Sequence, residues 1–372
     1  MKSPRILHIT PWFPNKLNKI EGIFIARHIA ALQDHCLNQV LHLSFGKKAL
    51  YQSNWDGVDV VHATLKPVID KWRIKEEITF RFLKKYLKEQ GQKFNIINFY
   101  IAYPNAIKIA YFQKKYPNLK FTISEQWSAY HESFGLSENS KGRGRIANIF
   151  HQVNSVISVS TSLGEDIRSF SKNENLQYLV VPNIVDGTDF YWQEKPKTTF
   201  KFVSINSWSK MKNPFVLIDA IADLQKEGRD VHLTIAGSGP IDKKIKEHIK
   251  RIETPLEITI LGRLDRNEVT KLLSESHAYC QSSVYETFSV ICIEALASGI
   301  PVMATNVGGM RDFIHEKNGI LIDNLESDEW KKAMIHLMDN YSVYDKELII
   351  NEVLENYNSR TIGKLFYSAL TN

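Results

Sequence analysis

The chain has 372 residues, with 47 Lys and Arg against 41 Asp and Glu for a formal charge of +6, and 43 % hydrophobic to 24 % charged residues. That length suits two domains of about 150–200 residues rather than one, and the composition is ordinary for a globular protein. Cys36, Cys280 and Cys292 exclude a disulfide framework and show no metal spacing, no run approaches the ~20 apolar residues of a membrane span, and the charge is too mild to demand an anionic partner.

In chain order, residues 5–10 form the first predicted strand; its apolar run, Ile6 to Ile9, is too short for a signal-peptide core. Gly22 then opens a predicted helix over 23–33, where Phe24, Ile25, Ile29 and Leu32 recur at helical spacing. A glycine there either admits a phosphate or sugar to the backbone or makes a plain turn. Strands are expected at 40–45, 58–62, 96–100, 121–124, 156–160 and 178–181. Residues 71–93 interleave Lys and Arg with aromatics and place Trp72, Ile78, Phe82 and Leu83 on an apolar face. Such a helix lies on an anionic bilayer or, the preferred expectation, packs its stripe on the sheet. The loop after residue 124 holds Gln126, which donates and accepts hydrogen bonds but does not titrate, and His131.

Residues 181–192 pass through Pro182-Asn183 into an Asp- and Gly-rich turn, and the polar stretch 193–199 reads as a linker. The boundary is therefore expected near residue 192, with domains 1–192 and 193–354. Strands at 200–205, 231–236, 256–261, 278–283 and 301–305 then alternate with helices at 214–227, 241–251, 266–276 and 288–297. This alternation argues for a doubly wound parallel sheet. Lys210 and Lys212 precede one of these helices, and a compact ammonium suits a phosphate. The turn around Gly237 lacks the third glycine of a dinucleotide fingerprint, which disfavours a NAD dehydrogenase. Residues 326–372 are helical in pattern.

The stretch 285–310 organises the second half. Glu286 is expected in the loop at the carboxyl end of a strand, where open α/β sheets bind ligands. The amides of Phe288, Ser289 and Val290 would open the next helix, and such a start suits a phosphate. Glu286 and Glu294 then flank a phosphate site, or are solvated helix residues.

The run from Ser283 to Gly309, SVYETFSVICIEALASGIPVMATNVGG, resembles the donor-site signature of the retaining glycosyltransferases called family GT4, or glycosyl transferases group 1. The resemblance implies an α/β GT-B fold: two Rossmann-like, doubly wound parallel-sheet domains facing across a cleft, with a C-terminal helix at about 355–372 packing back on the first. It assigns the donor sugar to Glu286, the diphosphate to the helix start (Thr287, Phe288, Ser289, Val290) and to Lys212, and the ribose to Glu294. Glu286 and Lys212 are the catalytic candidates. The base would rest on the loop holding Arg263, and Gly237 and Gly22 would line the donor site. Gly22 is carried over from the first loop (WFP…GIF…HIAAL), and Asn183, Asp186 and Phe190 match the family's interdomain segment. Two departures stand out: Gln126 replaces a histidine, and the usual companion arginine of Lys212 would fall on Asn206 or Ser207. Gln126, His131, Asn206 and Lys210 are carried as acceptor or sugar contacts.

The implied activity is retaining transfer of a sugar from a UDP- or GDP-sugar to a hydroxyl acceptor, a glycan or lipid-linked acceptor of cell-surface polysaccharide synthesis. No metal or other cofactor and no nucleic acid are expected. The expected location is cytoplasmic, with peripheral contact to the inner membrane face through 71–93 as the bilayer alternative. The rival readings are a nucleotide-sugar epimerase of the same fold and a non-catalytic basic binding protein.

Overall fold

The computed structural model describes residues 3–67, 71–134, 142–196, 198–252 and 256–372, and the chain divides into two units. The first comprises Met1–Ile184 with Ser359–Asn372. Its elements are β1 (Arg5–Thr10), α1 (Ile23–Ala30), β2 (Leu37–Phe45), β3 (Ala49–Trp55), β4 (Val58–Leu65), α2 (Trp72–Gln90), β5 (Ile96–Tyr100), the short α3 (Ala102–Asn105) and α4 (Ile109–Lys115). β6 (Lys120–Glu125), α5 (Arg143–Phe150), β7 (Ser155–Ser158), α6 (Thr161–Ser171) and β8 (Gln177–Val180) follow. The strands form one sheet in the order β3-β4-β2-β1-β5-β6-β7-β8.

All its neighbours run parallel except β3, which lies antiparallel on β4 at the edge. This strand is absent from the sequence expectation because most of its residues are exposed and carry no burial pattern. Its signal was Asp56-Gly57, whose positive φ values of 49° and 83° make the two-residue turn that suits a hairpin.

α2 packs Glu76, Thr79, Leu83 and Leu87 inward at helical spacing, and Phe80 meets Tyr111 edge-on at 5.1 Å. The stripe therefore faces its own unit. The sequence-derived face was rotated: Trp72 is exposed and lies on Tyr103 instead.

The second unit comprises Val185–Asn358. It holds β9 (Phe200–Asn206), α7 (Phe215–Lys226), β10 (Val231–Gly237), α8 (Asp242–Arg251), β11 (Ile258–Ile260), α9 (Arg266–Glu275) and β12 (Ala278–Gln281). α10 (Val290–Ala297), β13 (Val302–Thr305), β14 (Gly319–Ile322), α11 (Ser327–Asp339) and α12 (Lys346–Asn356) complete it. Its strands run in the order β11-β10-β9-β12-β13-β14, all parallel. The chain winds outward from β9 through β11 and then returns to the other side of β9 at β12. The β9/β12 border is thus a topological switch point, the place where parallel sheets open a ligand crevice beyond their carboxyl ends.

The boundary expected near 192 falls at Ile184/Val185. The intervening residues pack within the second unit: the Arg266 guanidinium lies 4.8 Å from the Phe190 ring, and the Lys346 ammonium 3.6 Å from that of Trp192. The last helix, α13 (Ser359–Thr371), belongs to the first unit and buries Ile362, Phe366 and Leu370 in its core beside Ile25, Ile29 and Tyr100.

Candidate active site

The switch point is filled by polar side chains, although it lies in the interior of the second unit. Burying such groups is tolerated only when they bond to one another. Glu286 sits just beyond β12 with a side chain only 10 % exposed. Its Oε1 accepts from the Lys212 ammonium, from Gln281 Nε2 at 2.6 Å and from Ser283 Oγ at 2.7 Å. Gln281 pairs reciprocally with Asn206 at the end of β9, by amide bonds of 3.1 and 3.2 Å. The Tyr279 hydroxyl reaches Gln281 Oε1 at 2.7 Å.

Lys212 arrives by a turn that is itself fixed. Ser282 Oγ donates to the carbonyls of Lys212 and Asn213 at 3.2 and 2.8 Å, and the Val284 amide donates to the Met211 carbonyl at 2.8 Å. Asn213 adopts a left-handed φ of 39°, a conformation that Gly and Asn tolerate best, which explains an asparagine after this lysine. Lys210 is exposed and takes no part in the network. Asn206, expected as a sugar contact, is turned inward to Gln281.

α10 begins at Val290, two residues later than expected, with Ser289 as N-cap in an extended conformation and no side-chain cap. Its first-turn amides lack intrahelical acceptors by helix geometry, and they carry the positive end of the dipole. Phe288 is buried against Phe313 at 5.4 Å, and Thr287 is half-buried. Behind the acid, Gly309 donates its amide to the Glu286 carbonyl at 3.0 Å. Gly308 has φ +51°, and a Cβ there would overlap the same carbonyl oxygen.

Glu294 lies midway along α10, buried, and accepts from Arg266 at 2.9 Å; Arg266 also bonds Asp189 at 2.9 Å. It is therefore no solvated helix residue. Gly237 ends β10 at φ +110°, where a Cβ would overlap the Asn206 carbonyl. It borders a cavity of about 160 Å³ lined also by Trp208, Ser238, Asp242, Leu261 and Gly262. Arg263 is exposed on the adjoining loop.

The remaining candidates lie in the first unit. Gly22 is the N-cap of α1 at φ +61°, and its α-carbon packs so closely on the Trp12 carbonyl that a side chain would collide. Gln126 and His131 follow β6 and are half-buried, and the His131 ring accepts from the Ser133 amide at 3.2 Å. The group that organises this loop is Glu125, fully buried. Its oxygens accept from the Gln126 and Trp127 amides at 2.9 Å each, the Ala102 amide at 2.8 Å and the Tyr130 hydroxyl at 2.7 Å. Burial pushes its carboxyl up despite these bonds. It holds the turn at Ile101, a β-branched residue at φ 58°. The three thiols are buried, and burial pushes Cys36 up to about 11 and the other two higher, as inert core thiols require.

Residues 188–352 match the family model described as glycosyl transferases group 1. That match lies within the second unit, and it is there that the chain is similar to the family. An uncharacterized glycosyltransferase of Methanocaldococcus jannaschii is 26 % identical over 228 residues, covering 56 % of this chain and 57 % of the relative. The chain thus matches little more than half the length of that relative. Among solved structures, sucrose-phosphate synthase of Thermosynechococcus elongatus aligns with a TM-score of 0.76 at 16 % identity over 98 % of each chain. HepE of Anabaena, solved with UDP and glucose, aligns at 0.71 and 14 % over 99 % of each. These likenesses establish the GT-B fold. Within the group 1 unit, sequence reasoning placed Glu286 and Lys212, which are in contact. It missed Gln281, Ser283 and Arg266, because single polar residues in short strands and loops carry no periodic signal. The buried strand AYCQ held one clue, a glutamine in an apolar run.

Proposed function

We propose that the chain is a retaining glycosyltransferase, moving a sugar from a UDP- or GDP-sugar to a hydroxyl acceptor. The observation that carries this is the Glu286 carboxylate, held through one oxygen by Lys212, Gln281 and Ser283 at the switch point just ahead of the bare start of α10. Free amides at a helix start receive a diphosphate, and Lys212 is the cation within reach of such a ligand. In the reaction the bond between the anomeric carbon and the diphosphate breaks and a bond to the acceptor oxygen forms, releasing nucleoside diphosphate and a proton. Charge grows on the departing phosphate, and preorganised amides with Lys212 stabilise it there. Oε2 of Glu286 remains to accept a sugar hydroxyl and orient the ring. Glu294 would take the ribose and the Gly237–Gly262 cavity the base, with Ser238 and Trp208 on its wall.

In this reading the acceptor is a glycan or lipid-linked glycan in the cytoplasm. A peripheral contact with an anionic membrane face would use the exposed Arg81, Lys84, Lys85 and Lys88 of α2. No metal is required. The test begins with thermal shift against UDP, GDP and their sugars, followed by product analysis with and without acceptors. Stabilisation by one nucleotide and acceptor-dependent transfer, unchanged by EDTA, are expected. Glu286→Gln should lower turnover at least ~100-fold with the fold intact. Epimerised donor without acceptor, or near-normal turnover in Glu286→Gln, refutes the reading.

A further inference from the structure

Gln281 is 1 % exposed at the end of a strand whose other residues are Ala, Tyr and Cys. A buried amide can be satisfied in either of two flipped orientations unless its neighbours decide. Here they do. Oε1 faces two donors, the Tyr279 hydroxyl at 2.7 Å and Asn206 Nδ2 at 3.2 Å. Nε2 is thereby turned to the acceptors, Glu286 Oε1 at 2.6 Å and Asn206 Oδ1 at 3.1 Å. The single Tyr279 hydroxyl proton is shared between Gln281 Oε1 and the Ile205 carbonyl, which lies 3.0 Å from the phenol oxygen. A continuous chain of bonds therefore runs from the end of β9, across the switch point, to one carboxylate oxygen of Glu286.

That oxygen has three donors of different kinds. Lys212 is a cation on a flexible stem, with a side chain 24 % exposed; Gln281 and Ser283 are neutral and buried. A diphosphate arriving at α10 would compete with Glu286 for the ammonium. Without the neutral donors, the departure of Lys212 would leave a buried carboxylate oxygen unpaired. We propose that Gln281 is a positioning residue that, with Ser283, keeps Glu286 satisfied and oriented while Lys212 transfers to the diphosphate of the donor. The Asn206–Gln281 pair is what holds Gln281 itself in register. This rests on the functional reading above and deepens it, because it makes the lysine exchangeable and the amide fixed.

The experiment compares wild type with Gln281→Leu and Gln281→Glu, using transfer kinetics across pH and calorimetric binding of the free nucleoside diphosphate. Gln281→Leu should lower kcat ~30-fold or more, because the sugar loses its oriented acid. Its diphosphate Kd should stay within about threefold of wild type, because that ligand lacks the sugar Glu286 orients. Gln281→Glu places a second carboxylate at the site and should be inactive at neutral pH. Its activity should recover as pH falls, because a protonated carboxyl again donates to Glu286 and accepts from Tyr279; a purely structural role would show no such rescue. Should Gln281→Leu fail to fold, this acid rescue decides. A wild-type kcat in Gln281→Leu, a parallel loss of kcat and diphosphate binding, or no acid rescue overturns the inference. Wild-type turnover with Glu286→Gln dead and Gln281→Leu fully active overturns it alone, whereas a wild-type chain that neither transfers nor hydrolyses any donor overturns the functional reading with it.

Discussion

Two histidines in the core of the first unit make its stability depend on pH. His28 is 2 % exposed and its ring N–H donates to the Pro182 carbonyl at 2.8 Å, with the Phe366 ring 5.3 Å away. His8, fully buried, meets Asn38 at 3.0 Å and Phe366 at 6.5 Å. Burial lowers both from 6.5 to about 4, and for His8 the neighbouring His28 also lowers it. Because the folded value lies below the unfolded one, the unfolded chain takes the proton first as pH falls. The stability each neutral ring contributes is complete above pH 6.5 and drains between 6.5 and 4. A shift of about 2.5 units corresponds to about 3 kcal/mol per ring, of which about 2 kcal/mol is gone by pH 5. His28→Gln keeps a donor for Pro182 but cannot titrate. Urea denaturation at pH 7.5 and pH 5, with hydrogen exchange over 359–371 as the local probe, reads the effect. Wild type should lose about 2 kcal/mol more than His28→Gln over that interval. Equal losses would mean that the ring is not buried neutral and that α13 is not held as described.

Two further outcomes follow from the second unit. Gly308→Ala forces a side chain onto the Glu286 carbonyl at a left-handed φ; the conformation alone costs about 1–2 kcal/mol, so calorimetry should show a melting point several degrees lower, with transfer activity lost further than stability explains. Arg266→Met removes the cation beside Glu294 and Asp189. With the guanidinium a third exposed, the cost should be about 1–3 kcal/mol, a drop of about 3–9 °C for a unit of this size, together with weaker nucleotide binding by calorimetry.

Much of this protein could be read without coordinates. Apolar runs gave most strands of both sheets and the helices of the second, because a strand buried on both faces must be continuously apolar; β14 and the first-unit helices α4, α5 and α6 were not read. Gly22, Gly237 and Gly308 were visible as glycines, and each stands at a positive φ against a carbonyl that leaves no room for a side chain. Glu286 and Lys212 were legible through the motifs around them. The exposed edge strand β3 was not, since its residues lack the burial that writes a pattern into sequence.

What the sequence determined by itself was therefore the local order: which segments are extended, which are helical, and which turns need glycine or asparagine. Tertiary structure alone decided which polar groups share the switch point. Lys212 and Glu286 are 74 positions apart, as Asn206 and Gln281 are 75, yet both pairs are in bonding contact. Strand order in a parallel sheet makes such pairs, and it is fixed by the packing of helices on the sheet rather than by anything written near either residue. The inward turn of Asn206, the clasp formed by Glu125 and the pairing of Arg266 with Glu294 come from the same cause: a buried polar atom takes whichever partner the fold brings within reach.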